Sequence, residues 1–445
     1  MTNAPVTLRI DAQDERQTMD GFGAAGAWWA QDVGGWPDAR DRVADLLFHR
    51  EKGAGLSIYR YNIGAGSGEN IADPWRRAET FEVSRGKYDW SRDANARWML
   101  RAACDRGVDQ VVAFANSPPA RMTHSGQITG GHNGESNLRP DAYADFAQYL
   151  VDVVRYLRDD EGAPVKWLSP INEPQWDWQS KNGQEGCHYT PAEVRDVARA
   201  LLNVIRRNKL DVQLSLFESG AWLASGLYVD ALLGDPEVWA ALPHIAVHSY
   251  WSTRDDKLLF MAEKQRRRLD KPLWMSEWTE MKASRDTGMD SALVMAATMH
   301  DDLTIASVTS WQTWIAVSKY DYRDGLIYVD QRGRTLTTAK RLWVMANYAR
   351  FVRPRFMRLG VQGGNDDVRV SAFRAPNDRQ WVVVAVNLAG ETVDVQLEAT
   401  GGRLPANVRQ LETSERHNLR EVNAGDADAR WTLAPQSVTT FLLNR

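Results

Sequence analysis

Lys166-Trp167-Leu168-Ser169-Pro170-Ile171-Asn172-Glu173-Pro174 is a short apolar run that closes on an amide, a carboxylate and a proline. Such a run, bounded by turn residues, reads as a buried strand that ends in a loop. A helical pattern follows at 191–207 and a second apolar run at 213–218, so this part of the chain reads strand, helix, strand. The alternation continues in both directions. Strands are expected at 19–26, 57–64, 110–116, 166–171, 213–218, 244–250, 272–277 and 307–315. The clearest helices are expected at 143–158, 191–207, 257–269, 291–305 and 338–352. Alternating strands and helices argue for a parallel sheet. Eight units in order argue for a closed (β/α)8 TIM barrel over residues 18–352, with an open doubly wound sheet as the runner-up.

Beyond Pro354 the pattern turns β-rich, with strands expected at 368–373, 381–387, 393–398, 408–411 and 438–443 and no helix between them. This reads as a β-sandwich side domain built from 353–445 together with residues 1–17, whose strand at 6–10 is expected to join it.

Composition narrows the function. The 445 residues are 43% hydrophobic and 25% charged with a net charge of −4, a balance that points away from nucleic acid and from an anionic membrane. No apolar run is long enough to span a bilayer. Residues 1–10 lack the charged and apolar regions of a signal peptide, so the chain as it stands reads as cytoplasmic, or as secreted or periplasmic if a leader has been removed. Cys104 falls in a helical pattern and Cys187 in a loop, an arrangement that argues against a disulfide. The eight histidines show no metal-binding spacing, no GxSxG elbow is present, and neither metal nor cofactor is expected. Tryptophan is in surplus: 19 against 11 Phe and 13 Tyr, several of them in Gly-, Asp- or Gln-rich loops where core filler is not expected. A flat indole with an N–H at its edge suits the faces and hydroxyls of sugars.

Barrel enzymes carry their chemistry at the C-terminal ends of strands. Those ends present Arg60, Asn62, Asn116, Asn172, Glu173, Glu218, His248, Tyr250, Glu277, Trp311 and Trp314. Glu173 and Glu277, the latter in Leu273-Trp274-Met275-Ser276-Glu277-Trp278, form the pair that glycosidic hydrolysis needs: one carboxyl to protonate the leaving oxygen, one to meet the sugar carbon. Glu218, ending the fifth strand, is the chief rival, and Asp177 and Glu280 read as loop charges. His248 is as readily a satisfied core histidine as a site residue. Gly21-Phe22-Gly23-Ala24-Ala25-Gly26 matches the dinucleotide fingerprint, but Trp28 and Trp29 follow at once and helix stands where the acidic residue should be. Close backbone packing is the better reading.

With these residues in view, the sequence resembles clan A retaining glycosidases, and within them glycoside hydrolase family 30. The resemblance runs over essentially the whole chain through GFGAAGA (21–27), RYNIG (60–64), ANSPP (115–119), SPINEP (169–174), VHSYW (247–251), WMSEW (274–278) and WQTWIA (311–316). It implies that Glu173 is the acid/base, Glu277 the nucleophile and Asn172 the partner of the sugar 2-hydroxyl. Arg60 and Tyr250 would steady Glu277, and Trp314 would floor the −1 subsite. Glu218 matches no catalytic position and is expected to be a lining or structural residue. Retention implies carboxyls about 5–5.5 Å apart. Arg60 is expected to lower the pKa of Glu277, and Glu173 to be raised.

The loop Gln175-Trp176-Asp177-Trp178 with Gln184-Glu185-Gly186-Cys187-His188-Tyr189-Thr190 looks most like the endo-β-1,6-galactanase branch. The absence of an Asp in Gly64-Ala65-Gly66-Ser67 points the same way. Trp28, Trp29, Trp176, Trp178, Trp222, Trp251 and Trp278 are then candidates to contact sugar. The expected partner is a carbohydrate polymer or oligosaccharide bound by a monomer, and the alternative enzyme reading keeps the fold and mechanism on another β-glycan (β-1,6-glucan or xylan) or acts from the end of short oligosaccharides. A non-catalytic carbohydrate-binding protein is the rival class, disfavoured because binding alone does not require both carboxylates with Asn172, Arg60 and Tyr250.

Overall fold

The computed structural model describes residues 4–66, 68 and 70–445; the readings that involve Met1–Asn3 and Ser67 lie outside the described residues. Eight parallel strands close a barrel in chain order: Gly21–Ala25, Ile58–Asn62, Gln110–Phe114, Val165–Ser169, Gln213–Leu214 with Leu216–Ser219, Ile245–His248, Leu273–Glu277 and Ser310–Thr313. The fifth strand is interrupted at Ser215. Its first part pairs with the fourth strand and its second part with the sixth, and this split closes the ring.

The two-residue repeat of a strand sorts side chains into layers inside the barrel. Ile58, Val112, Trp167, Ala246 and Trp274 form a dry plug, with Trp167 edge-on to Trp274 at 4.6 Å and His244 stacked on Trp274 at 3.8 Å. Two residues past Ile58, Trp167, Ala246 and Trp274 the layer turns polar, giving Arg60, Ser169, His248 and Ser276, joined by Glu218 of the fifth strand and all buried, while the third strand stays apolar at Phe114. The site therefore rests on an apolar floor of the same strands that carry it.

The helices cover the outside and start where their sequences say. Thr190 caps Pro191–Asn208 in a reciprocal box with Glu193, and Pro191 occupies the first turn, where a missing N–H costs nothing. Thr253 and Asp256 do the same for Arg254–Arg266. No described helix is long and apolar enough to cross a membrane. Gly23 and Gly26 sit where a Cβ would meet the Ile58 carbonyl at 2.8 Å and the Tyr59 hydroxyl at 2.1 Å, so this glycine run serves close packing of the first two strands. Cys104 and Cys187 are both free thiols.

The second sheet has nine strands and curls on itself. Its order is Arg420–Asp426, Asn407–Thr413, Ser437–Asn444, Gln380–Asn387, Val368–Arg374, Met357–Gln362, Val6–Thr18, Val393–Thr400 and Arg430–Leu433. Val6–Thr18 runs antiparallel to Met357–Gln362 and parallel to Val393–Thr400, placed between two strands from the far end of the chain. The Gln410 side chain donates to Thr432 O at 2.8 Å, tying one half of the curl to the other. Leu8, Ile10, Val383, Val395, Trp431 and Phe441 are in its core. Asn347, in the last barrel helix, joins the two units through Thr413 (2.6 Å) and Thr440 (2.8 Å).

Candidate active site

A cleft of about 850 Å³ opens at the C-terminal ends of the barrel strands. Asn116, Asn172, Glu173, Tyr250, Glu277 and Trp314 line it, as do Trp176 and Trp178 from the loop after the fourth strand. Glu173 and Glu277 lie near its base, and ligand oxygens of the two come within 4.8 Å of each other.

Glu277 is held by two groups. Arg60 donates Nη1–H to its Oε2, and the Tyr250 hydroxyl donates to its Oε1 at 3.1 Å. The other arm of the Arg60 fork donates to Asn172 Oδ1 at 2.8 Å, so one guanidinium fixes both Glu277 and the amide beside Glu173. Glu173 has left-handed backbone (φ 44°), and its carbonyl accepts the Trp178 indole N–H at 3.0 Å. Trp28 stands edge-on to Trp314 at 5.1 Å, and Arg76 lies over Trp28 at 4.4 Å while donating to the Tyr320 hydroxyl at 3.0 Å.

Beneath this layer lies a buried charge cluster. His248 Nδ1 faces Glu173 Oε1 at 3.3 Å and Glu277 Oε1 at 3.6 Å, while Nε2 faces Glu218 Oε2 at 3.2 Å. Glu218 Oε2 also meets Arg60 Nη2 at 3.5 Å and accepts from Ser276. Burial pushes the Glu218 carboxyl up, but the Arg60 charge, His248 and Ser276 outweigh it and hold it at about 2. Burial pulls His248 down, yet the Glu277 charge and the bonds to Glu173 and Glu218 raise it to about 9. Glu277 departs from expectation: burial and the Glu173 charge raise its pKa despite the opposing pull of His248 and Arg60. Glu173, His248 and Glu277 have the spacing of metal ligands, but two cations already serve these carboxylates, so the trio reads as a hydrogen-bonded cluster.

Several expected contact residues lie elsewhere. Trp311 is fully buried on the helix side of its strand, donating to Asp302 Oδ2 at 2.9 Å, and Trp278 packs beside it at 5.9 Å. Trp29 is core, bonded to Ala25 O at 2.9 Å, and Trp222 is core, bonded to Ser249 Oγ at 2.6 Å. These four are unavailable to a ligand in the cleft. Arg60 and His248 are wholly buried and reach the cleft only through the carboxylates. Asn62 sits behind Asn116, accepting its amide at 3.2 Å. Arg76, Tyr320, Tyr322 and Asp324 line the cleft without having been singled out. They come from loops after the second and eighth strands, where no periodicity marks them. The only signal available was the aromatic and charged run Tyr320-Asp321-Tyr322-Arg323-Asp324 just beyond a strand end.

The chain matches the model of O-glycosyl hydrolase family 30 over residues 5–231 and 236–328. It is similar to an endo-beta-1,6-galactanase of Hypocrea rufa, 26% identical over 444 residues that span 92% of this chain and 88% of that protein. It is also similar to the glucuronoxylanase XynC of Bacillus subtilis (strain 168), 25% identical over 99% of this chain and 92% of that one. Among solved structures, a conserved exported protein from Bacteroides fragilis superposes with a TM-score of 0.88 at 26% identity, covering 98% of this chain and 100% of that chain.

Proposed function

Because this chain belongs to O-glycosyl hydrolase family 30, we propose that it cleaves β-1,6-linked galactan, as in arabinogalactan side chains, by double displacement with retention of configuration. One observation carries the mechanism: an oxygen of Glu173 and an oxygen of Glu277 lie within 4.8 Å of each other, a closeness that supports the short carboxyl spacing of retention over the wider one that seats a water. Glu277 attacks the anomeric carbon while Glu173 protonates the departing oxygen, giving a glycosyl-enzyme ester on Glu277. Glu173, now a carboxylate, takes a proton from the incoming water, which releases the sugar and restores both groups. Arg60 and Tyr250 orient Glu277 for attack and stabilise it as it leaves. Asn172, pinned by Arg60, hydrogen-bonds the 2-hydroxyl as charge develops on the ring.

The galactanase similarity supports the sugar. Besides the carboxylates the cleft is lined by two aromatic groups, Trp176 with Trp251 and Trp28 with Arg76 and Tyr320, which offer contacts for more than one sugar and support endo action. A second reading, the same mechanism on xylan or another β-glycan, is supported by the glucuronoxylanase similarity. The test is product analysis on β-1,6-galactan, β-1,6-glucan and glucuronoxylan with Glu277→Gln as the blank. A ladder of galacto-oligomers supports the first reading, and cleavage of another polymer alone replaces the sugar and keeps the mechanism. A protein that binds galactan but cleaves nothing overturns both.

A further inference from the structure

Glu218 is wholly buried, lines no part of the cleft and cannot touch a sugar, yet it makes more polar contacts than either carboxylate above it. Its Oε2 meets Arg60, His248 and Ser276, and its Oε1 faces the hydroxyls of Ser169 at 3.2 Å and Ser215 at 3.4 Å. A buried carboxylate is tolerated only when charge and hydrogen bonds compensate it, and this one has two cations and three hydroxyls. We propose that Glu218 is a positioning residue that fixes the charge on His248, so that an imidazolium sits against Glu173 and Glu277 and sets the protonation of both.

The geometry follows from the ring. With a carboxylate on Nε2, that nitrogen keeps its proton. Nδ1 then faces two further carboxyl oxygens and is served best by a proton of its own. The groups facing the ring are thus Glu218 from the fifth strand, Glu173 from the loop after the fourth, Glu277 from the seventh and the Tyr250 ring edge-on at 5.8 Å; Arg60 is shared by Glu218 and Glu277. Glu218 and Glu277 as anions balance Arg60 and His248 as cations. The site is neutral when Glu173 holds its proton, as the proposed acid must. Losing the charge on Glu218 releases the proton from His248, which is much nearer to the catalytic pair, so both catalytic carboxyls become harder to ionise.

This inference rests on Glu173 and Glu277 being the reacting pair, but its first test needs no substrate. In ¹⁵N-histidine-labelled wild-type protein near neutral pH, His248 is expected to give an imidazolium signature, and in Glu218→Gln a neutral one. Neutral His248 in the wild type overturns the proposal even if Glu218→Gln does not fold. In the pH profile of kcat/KM, Glu218→Gln should move both limbs upward by about one unit, whereas Ser169→Ala, which removes one hydroxyl from Glu218 and keeps its charge, should leave them in place. Uniform loss at every pH with unmoved limbs would reduce Glu218 to a packing role. A wild type inactive on every glycan would refute the catalytic reading while leaving the His248 result intact.

Discussion

The backbone N–H of Glu173 donates to the carbonyl of Glu218 at 2.8 Å, which pins the exit of the fourth strand to the end of the fifth. Both residues have left-handed backbone, at φ 44° and 59°. The proposed acid is thus held by main chain as well as by its side-chain partners, and the clearance around it is small.

Gly220 sets that clearance. A Cβ there would lie 2.8 Å from Glu173 Oε1 and 2.5 Å from Gln175 Nε2. Gly220→Ala is expected to lower kcat by roughly 10²-fold by displacing the acid, with KM little changed. Steady-state kinetics on a soluble substrate checks this, and unchanged kcat would mean the carboxyl has more freedom than the packing implies.

Glu173→Gln should separate the two chemical steps. Natural galactan needs a proton on its leaving oxygen, so its turnover should fall by about 10²–10⁴-fold. An aryl glycoside with an acidic phenol leaves unaided and should still show a burst of phenol, followed by slow release of the sugar. Stopped-flow absorbance reads the burst.

Arg60 serves Glu277, Asn172 and Glu218 from full burial. Replacing it by Met leaves buried anions without their cation and should cost about 3–5 kcal/mol of stability. Lys, a point charge without the fork, should fold better yet fail to hold Glu277 and Asn172 together. Chemical denaturation alongside kcat for the two variants tests this, and a fully active Arg60→Lys would argue against the shared-fork role.

Trp251 is 62% exposed and meets Trp176 edge-on at 5.3 Å on the cleft rim. An exposed indole adds little to folding, so Trp251→Ala should leave Tm nearly unchanged. If the pair seats a sugar ring, KM on polymer should rise about 3–10-fold while hydrolysis of a small aryl glycoside is unaffected. Equal effects on both substrates would remove the ring from the binding surface.

His248 also gives a stability prediction. Its pKa is raised in the folded protein, so the stability it contributes is complete below its unfolded value of about 6.5 and lost as pH rises through about 9. Thermal unfolding is expected to shift to lower temperature between those values, and in Glu218→Gln, where His248 is expected to be neutral, that shift should shrink or vanish. A flat Tm across that window in the wild type would contradict the coupling.

Much of the fold was legible because burial and period agree along the barrel. Each strand is an apolar run that ends on polar residues, and the helix at Pro191 announces itself with its cap. The family resemblance drew Glu173, Glu277 and their partners from the same strand ends. What could not be read was direction and depth. Trp311 and Trp314 look alike in sequence, yet Trp311 alternates with Ser310 and Gln312 to face the helices, and only Trp314 turns into the cleft. In the sandwich, Arg420–Asp426 is exposed along its whole length and so offers no apolar alternation to mark it as a strand. Glu218 was visible but its depth was not, because its meaning depends on Arg60 and His248, brought from distant strands by barrel closure.

The placement of Val6–Thr18 has a consequence for biosynthesis. Val6 pairs with Val395 and Arg9 with Gln362, so this strand needs partners that are made several hundred residues later. At ordinary elongation rates it waits for tens of seconds on the ribosome with its Leu8 and Ile10 side chains uncovered. The barrel strands follow one another in chain order and can meet their neighbours as they emerge, whereas the second sheet closes only after segments several hundred residues apart have both been made.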